Sequence, residues 1–191
     1  MNLIEIEKKI EFKNFLDLSK EESLQILEYR NLPEIRKNMV TQEIITEDNH
    51  FKFIDGLKTD KTKAYYAVVF DQQLIGSVSL TDIQLNSQSA FWGVYLGEKP
   101  MPGIGSIVEY FFIEFTFNSY SITHLFCEVF EGNKGVIKLH SRFGFEVEEL
   151  IKNYALISNL SVSAVRMCLE KTSWKNIFKC KIYNILSEKL K

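Results

Sequence analysis

Two kinds of hydrophobic spacing alternate along this chain. The first is helical. Ser19-Lys20-Glu21-Glu22 reads as a capping box opening a helix to about Tyr29, with Leu24, Ile26 and Leu27 apolar, and Asn31-Leu32-Pro33 breaks it. A second helix is predicted from about Thr46 to Leu57, with His50, Phe53, Ile54 and Leu57 on one face. Apolar runs then take over. Ala64–Phe70 reads as a buried strand, Asp71-Gln72-Gln73 as a turn, and Leu74–Leu80 as the partner of a hairpin. Ala90–Leu96 is a third central strand. From Gly103 to about Asn118, Ile104, Ile107, Val108, Phe111, Phe112 and Phe115 recur at i, i+3, i+4, the mark of a long packed helix. His124–Phe130 is a strand. Asn133 caps a helix with Val136, Leu139, His140 and Phe143 on one face, and Gly144 ends it. Phe145–Ile151 and Val162–Glu170 close the pattern as strands. An antiparallel group followed by alternating helices and strands predicts a mixed sheet with helices on both faces.

The most informative stretch is residues 93–145. The strand ending Gly93-Val94-Tyr95-Leu96-Gly97 leads through Pro102-Gly103-Ile104-Gly105 into the long helix. Such a turn lets backbone approach a ligand closely, and the first helical N–H groups then point at an anion. Glu128, Asn133 and Leu139-His140-Ser141-Arg142-Phe143-Gly144-Phe145 add polar groups beside that cradle. The combination points to an enzyme that holds a phosphorylated cofactor and does chemistry next to it.

Composition narrows the class. Apolar residues make up 46% of 191 and charged ones 25%, enough for one core in a soluble domain. The net charge of −2 gives no basic face for nucleic acid. Cys127, Cys168 and Cys180 show no paired spacing, which favours a reducing cytoplasm. Residues 1–7 are too polar for a secretory segment, and no stretch reaches the roughly eighteen apolar residues of a membrane span. No metal is expected. Among the tail lysines, Trp174, Ile177, Phe178, Ile182, Ile185 and Leu186 fall at helical spacing. They give a helix over 172–191 appended to a domain of residues 1–171, with a membrane-surface or partner helix as the other reading.

Across roughly residues 20–170 the chain resembles the GCN5-related N-acetyltransferases (GNAT). Gly103 and Gly105 match the small positions of the pyrophosphate motif Gln/Arg-x-x-Gly-x-Gly/Ala, with Pro100 where Gln or Arg is usual. Asn133, Val136, Leu139, His140, Gly144 and Phe145 match Asn-x-x-Ala-x-x-Leu-Tyr-x-x-x-Gly-Phe, with Val136 for Ala and His140 for Tyr. The resemblance implies an α/β (α+β) GNAT fold: a mostly antiparallel sheet with a splayed parallel strand pair. It also implies direct transfer of acetyl from acetyl-CoA to an amine, with no covalent enzyme intermediate.

Tyr29-Arg30-Asn31-Leu32-Pro33, the His50 helix, Ile75-Gly76-Ser77 and Cys127-Glu128-Val129 look like one branch of that family. It acetylates the 4-amino group of a UDP-linked amino-dideoxy sugar in pseudaminic acid biosynthesis. The Arg-Asn-x-Pro start is also similar to acetyltransferases of ribosomal-protein N-termini. A non-catalytic acetyl-CoA-binding domain is the third reading.

The resemblance assigns residues as follows. Gly103, Ile104, Gly105 and Ser106 would hold the pyrophosphate, with Tyr95, Leu96 and Asn133 along the rest of the cofactor. His140 sits where a Tyr commonly protonates the CoA thiolate. An unperturbed imidazole is roughly a quarter charged at pH 7, and a nearby Glu128 would raise that fraction. Strand alternation sets Glu128 among Phe126 and Phe130, where a charge needs a reason. A general base working through water would supply it. Ser77 is placed to touch substrate or thioester, and Arg30 and His50 to meet a nucleotide. Sheet edges and the aromatic surface permit a homodimer.

Overall fold

The computed structural model describes residues 2–157 and 159–190. Seven strands form one sheet in the order β1-β2-β3-β4-β5-β7-β6. They are β1 (Ile10–Asn14), β2 (Ala64–Phe70), β3 (Gln73–Gln84), β4 (Ser89–Leu96), β5 (His124–Phe130), β6 (Glu146–Ile157) and β7 (Leu160–Glu170). Every pairing is antiparallel except β4 with β5. That parallel pair is joined only at Ser89–His124, Ala90–Leu125 and Phe91–Phe126. Beyond Phe91 and Phe126 the two strands diverge.

Among the described residues eight α-helices, a 3-10 turn (Phe15–Asp17) and a π-helical turn cover the sheet. α2 (Lys20–Asn31), α3 (Pro33–Arg36) and α4 (Glu47–Gly56) lie on one face. There Phe15, Ile26, Tyr29, Ile35 and Leu57 bury against Ala67 and Leu74. α1 (Leu3–Glu7), α5 (Ile104–Ser119), α6 (Lys134–Phe143) and the C-terminal segments pack on the other face. The tail forms α7 (Lys171–Ser173), a π-helical turn (Trp174–Phe178) and α8 (Lys179–Lys189).

Local chemistry explains the element ends. Ser19 and Glu22 form the reciprocal capping box that opens α2. Thr46 caps α4 and Asn133 caps α6. The β2–β3 turn needs only Asp71 and Gln72, both at positive φ (51° and 66°), the geometry that matches the twist of the flanking strands. Strands β6 and β7 run longer than their apolar patterns. Lys152-Asn153, which reads as a break, is a bulge with Asn153 at φ 55°, not a turn. The signals before Ser19 are short: an Asn2–Glu5 capping box opens α1, and Ile10 and Phe12 alternate with polar residues in β1.

The tail belongs to the main core. Trp174 is fully buried, stacked on Phe143 (centroids 6.3 Å) and tilted against Tyr110 (5.6 Å). Its indole N–H donates to Glu114 at 2.6 Å. A Cβ on Gly144, the left-handed cap of α6, would fall 2.4 Å from the Phe178 ring. The absence of a side chain there lets the tail close against α6. Ile182 and Leu186 are buried with Trp174, whereas Ile177 and Ile185 face solvent.

Trp174→Ala is therefore expected to cost about 3–5 kcal/mol of unfolding free energy, the range for emptying a large buried aromatic site. Denaturant unfolding of the full chain measures it; a loss below about 1 kcal/mol would show that the tail is not part of the core.

Candidate active site

The glycine turn opens α5 where the sequence places it. Gly103 caps α5 at φ 80°, a conformation that disfavours any side chain. A Cβ on Gly103 would meet nothing within 4 Å, and one on Gly105 only Leu96 Cδ1 at 4.0 Å. The space over both glycines is thus open, and a side chain would project into it. Leu96 stands beside Gly105 at the end of β4. One detail corrects the expected donor set. The Ser106 amide already donates to the Gly103 carbonyl at 3.0 Å, so its backbone N–H is not available to a phosphate. The Ile104 amide donates to the Met101 carbonyl at 3.4 Å, which leaves the Gly103 and Gly105 amides without a backbone acceptor among the described residues.

The splay supplies the second element. From Trp92 to Leu96, β4 is paired with β3 on one side and has no β5 partner on the other. Its free N–H and C=O groups form an edge that an extended amide-bearing arm can join as a short strand. The pantetheine of acetyl-CoA carries two such amides. The cradle at one end and this edge beside it fit that cofactor. Asn133 lies past the end of β5, where its side chain caps α6 through a long 3.4 Å bond from Val136 N–H.

His140 is 4% exposed, and its carboxylate partner is Glu109, not Glu128. Nδ1 lies 2.7 Å from Glu109 Oε1. The ring sits between Trp92 (centroids 5.2 Å) and Phe145 (5.4 Å). Glu109 is 2% exposed on α5, and burial pushes its carboxyl above the usual range, partly offset by the imidazole. Glu109 escapes the sequence reading because it lies off the apolar stripe of α5. His140 of α6 and Cys127 of β5 face it in the core.

Glu128 lies on the opposite face of the sheet. Its neighbour Cys127 is buried in the core with α5, so alternation turns Glu128 the other way. The reason for a charge among aromatics is a network. Arg166 donates to Oε1 through Nε (3.0 Å) and Nη2 (2.7 Å), and the Tyr154 hydroxyl donates to Oε2 at 2.6 Å. Burial and the carboxylate push the Tyr154 hydroxyl up to about 12. Arg166 also lies over the Phe91 ring at 5.5 Å. Glu128, Tyr154, Phe91, Trp92, Thr81 and Asp82 line a cavity of about 270 Å³ at the splay. Asp82 is held there at φ 47° beside a β-bulge in β3. Arg166, Tyr154 and Asp82 were not singled out from sequence. The alternation of β7 and the turn-like residues around Asp82 give no hint that they converge.

The remaining candidates divide. His50 is 5% exposed, and its Nε2 bonds the Ser23 carbonyl at 2.9 Å, fastening α4 to α2. This corrects its assignment as a substrate contact: it is a core residue, and burial lowers its imidazole below the usual value. Ser77 is 2% exposed and stands opposite Tyr95 in the β3–β4 ladder. The Tyr95 ring joins the α2–α4 core rather than the cofactor edge. Arg30 is half-buried beside Tyr65 and Tyr95, with Nη2 donating to the Thr41 carbonyl at 2.9 Å. Its Nη1 is buried without a hydrogen-bond partner.

A glycine-turn cradle, a split parallel strand pair and an imidazole beneath the split together define a CoA-dependent acyltransferase site. Residues 16–161 match the Acetyltransferase (GNAT) domain family, and the chain belongs to that family. It is accordingly an acetyl-CoA-dependent N-acetyltransferase. Acetyltransferase PseH of Campylobacter jejuni (serotype O:23/36, strain 81-176) is 31% identical over 146 residues, covering 76% of this chain and 90% of the relative. The crystal structure of Campylobacter jejuni N-acetyltransferase PseH with acetyl coenzyme A superposes with a TM-score of 0.64 at 24% identity, covering 85% of this chain and 99% of that one. Spermidine N-acetyltransferase from Vibrio cholerae, in complex with CoA and spermine, gives a TM-score of 0.79 at 16% identity, covering 88% and 99%. Among the described residues no helix is long and apolar enough to cross a membrane.

Two outcomes follow. Gly105→Val should raise the KM for acetyl-CoA on the order of tenfold, because a branched side chain fills the approach to the cradle. Its Tm should move little, since Leu96 alone is near; an unchanged KM would remove the cradle from cofactor binding. For His50, both states are neutral well above pH 6.5. As pH falls through about 6.5 the unfolded chain takes up a proton that the folded chain resists, so stability declines. His50→Gln should flatten that decline between about pH 6.5 and 5 in denaturant unfolding series. Parallel curves for the two proteins would contradict the assignment.

Proposed function

We propose that this protein transfers the acetyl group of acetyl-CoA directly to the 4-amino group of a UDP-linked amino-dideoxy sugar, the step that belongs to pseudaminic acid biosynthesis. The observation that carries the acceptor class is the likeness to PseH, sustained at 31% identity over 90% of that protein's length. The cavity at the splay supports an amine acceptor: two carboxylates, Glu128 and Asp82, stand among aromatic walls. Arg30, with one buried N–H unpartnered, supports an anionic group on the acceptor. Its place on the α2 side of the sheet fits the diphosphate of a nucleotide sugar.

The residues divide the reaction between them. Aligning the amine against the thioester carbonyl makes the attack effectively intramolecular. Glu128, held by Arg166 and Tyr154, fixes the amine or its relaying water, and an unpaired N–H on the β4 edge takes the charge that develops on the carbonyl oxygen. The C–N bond forms, the C–S bond breaks, and His140 protonates the departing thiolate.

A thiol-release assay with purified protein, acetyl-CoA and an amine panel tests this reading. Turnover is expected with UDP-4-amino sugars and not with free amino sugars, polyamines or N-terminal peptides. Arg30→Ala should raise the acceptor KM about tenfold while leaving the acetyl-CoA KM in place. Turnover confined to ribosomal-protein N-terminal peptides or to polyamines would overturn the acceptor assignment.

A further inference from the structure

We propose that Glu109 is a positioning residue for the acyl transfer. It holds the His140 imidazole by its Nδ1–H, so that Nε2 is the atom that delivers the proton at the splay of β4 and β5. The inference rests on the role given to His140 above and adds a residue that no part of the motif contains.

Three observations carry it. The 2.7 Å contact fixes which ring nitrogen faces the carboxylate. The pair is shielded from water, at 4% and 2% side-group exposure for His140 and Glu109 as residues. A contact of this kind is therefore not a screened surface ion pair. Position is the third. His140 packs edge-on to Trp92, the first β4 residue beyond the last parallel pair, and Trp92 also lines the acceptor cavity. The imidazole thus stands directly behind the place where the strands part. Glu109 is on the same helix whose N-terminus forms the cradle. One rigid element therefore sets both the cofactor and the acid.

The chemistry balances. With the carboxylate accepting from Nδ1–H, Nε2 is the ring atom left to carry the transferable proton. As the C–S bond breaks, the thiolate sulfur takes the Nε2 proton, and His140 is left neutral with Nδ1–H still on Glu109. The proton lost by the acetylated amine, passed through solvent, restores Nε2–H. Other groups around the pair do not interfere. Cys127 on β5 faces Glu109, and burial pushes its thiol up, so it stays neutral. Trp92 and Phe145 carry no charge. The tail meets α6 through Trp174 at Phe143 and Phe178 at Gly144, also without charge. On α6 itself Arg142 and Lys138 are solvent-exposed.

The test compares the full chain with Glu109→Gln, His140→Phe and the double variant, using acetyl-CoA and the best amine in the panel. Glu109→Gln keeps an oxygen acceptor for Nδ1–H and removes the charge. It should lower kcat about tenfold and leave the acetyl-CoA KM within about twofold. Combined with His140→Phe it should cost nothing further. An unchanged kcat in Glu109→Gln, or losses that multiply in the double variant, would overturn the proposal. Imidazole 15N NMR of the unmodified protein provides a readout that needs neither a folded variant nor an acceptor. Nδ1 should carry the proton that Glu109 accepts; an Nδ1 that accepts, with the proton fixed on Nε2, would overturn it. If no amine turns over, the proposed reaction fails while this measurement still decides the pairing.

Discussion

Three residue pairs hold the two halves of this sheet together. Ser89, Ala90 and Phe91 meet His124, Leu125 and Phe126, and no further β4–β5 pairing follows. Each half is a self-sufficient antiparallel group, so the junction need not continue for either to keep its register. The last pair is reinforced by the stack of Phe91 on Phe126, centroids 5.3 Å apart, with the Arg166 guanidinium over Phe91. Past that clamp the strands leave a row of backbone groups unpaired. Continuing the ladder would satisfy those groups within the protein and leave no edge for a ligand. The site exists because the pairing stops where it does.

The same divergence separates the chemistry by face. Side chains alternate across β4 and β5, so neighbouring positions at the split look to opposite layers. Cys127 and Trp92 turn toward α5 and α6, where His140 and Glu109 lie. Phe91 and Glu128 turn toward the side that opens beyond α2 and α4. Groups on Glu128's side of the split and groups on His140's side are thus reached from different faces of the sheet. The expectation that Glu128 would sharpen His140 fails for this reason: one residue of the strand period places the two groups on different faces.

The legible parts of the chain were those governed by local rules. The Ser19 capping box, the glycine that opens α5, the Asn133 cap and the Gly144 terminator each act within a few residues, and each forms where the pattern indicates. Strands β2 and β5 match their apolar runs end for end. The illegible parts depend on what packs against what. His50 reads as an accessible imidazole on an amphipathic helix until α2 covers it through Ser23. Glu109 reads as the polar side of α5 until His140 of α6 packs on that flank. Arg166 and Tyr154 come from two other strands, and only the β5–β7–β6 order brings them onto Glu128. Motif spacing locates His140 but is silent about its partner.

Energetics bear on why that partner matters. Desolvating a carboxylate and an imidazolium together costs several kcal/mol, and the attraction between them commonly does no more than cancel it. Leu, Met or Phe at both positions would fill the same space among Trp92, Phe112 and Phe145 without that penalty. The Glu109–His140 pair therefore adds little to the stability of a layer that already buries Trp174, Phe112 and Phe117. What it would supply is a fixed orientation of the imidazole behind the split. There a charge-assisted hydrogen bond fixes a tautomer more firmly than packing alone. The carboxylate is carried by α5, the helix that the glycine turn opens, so its position is fixed relative to that turn.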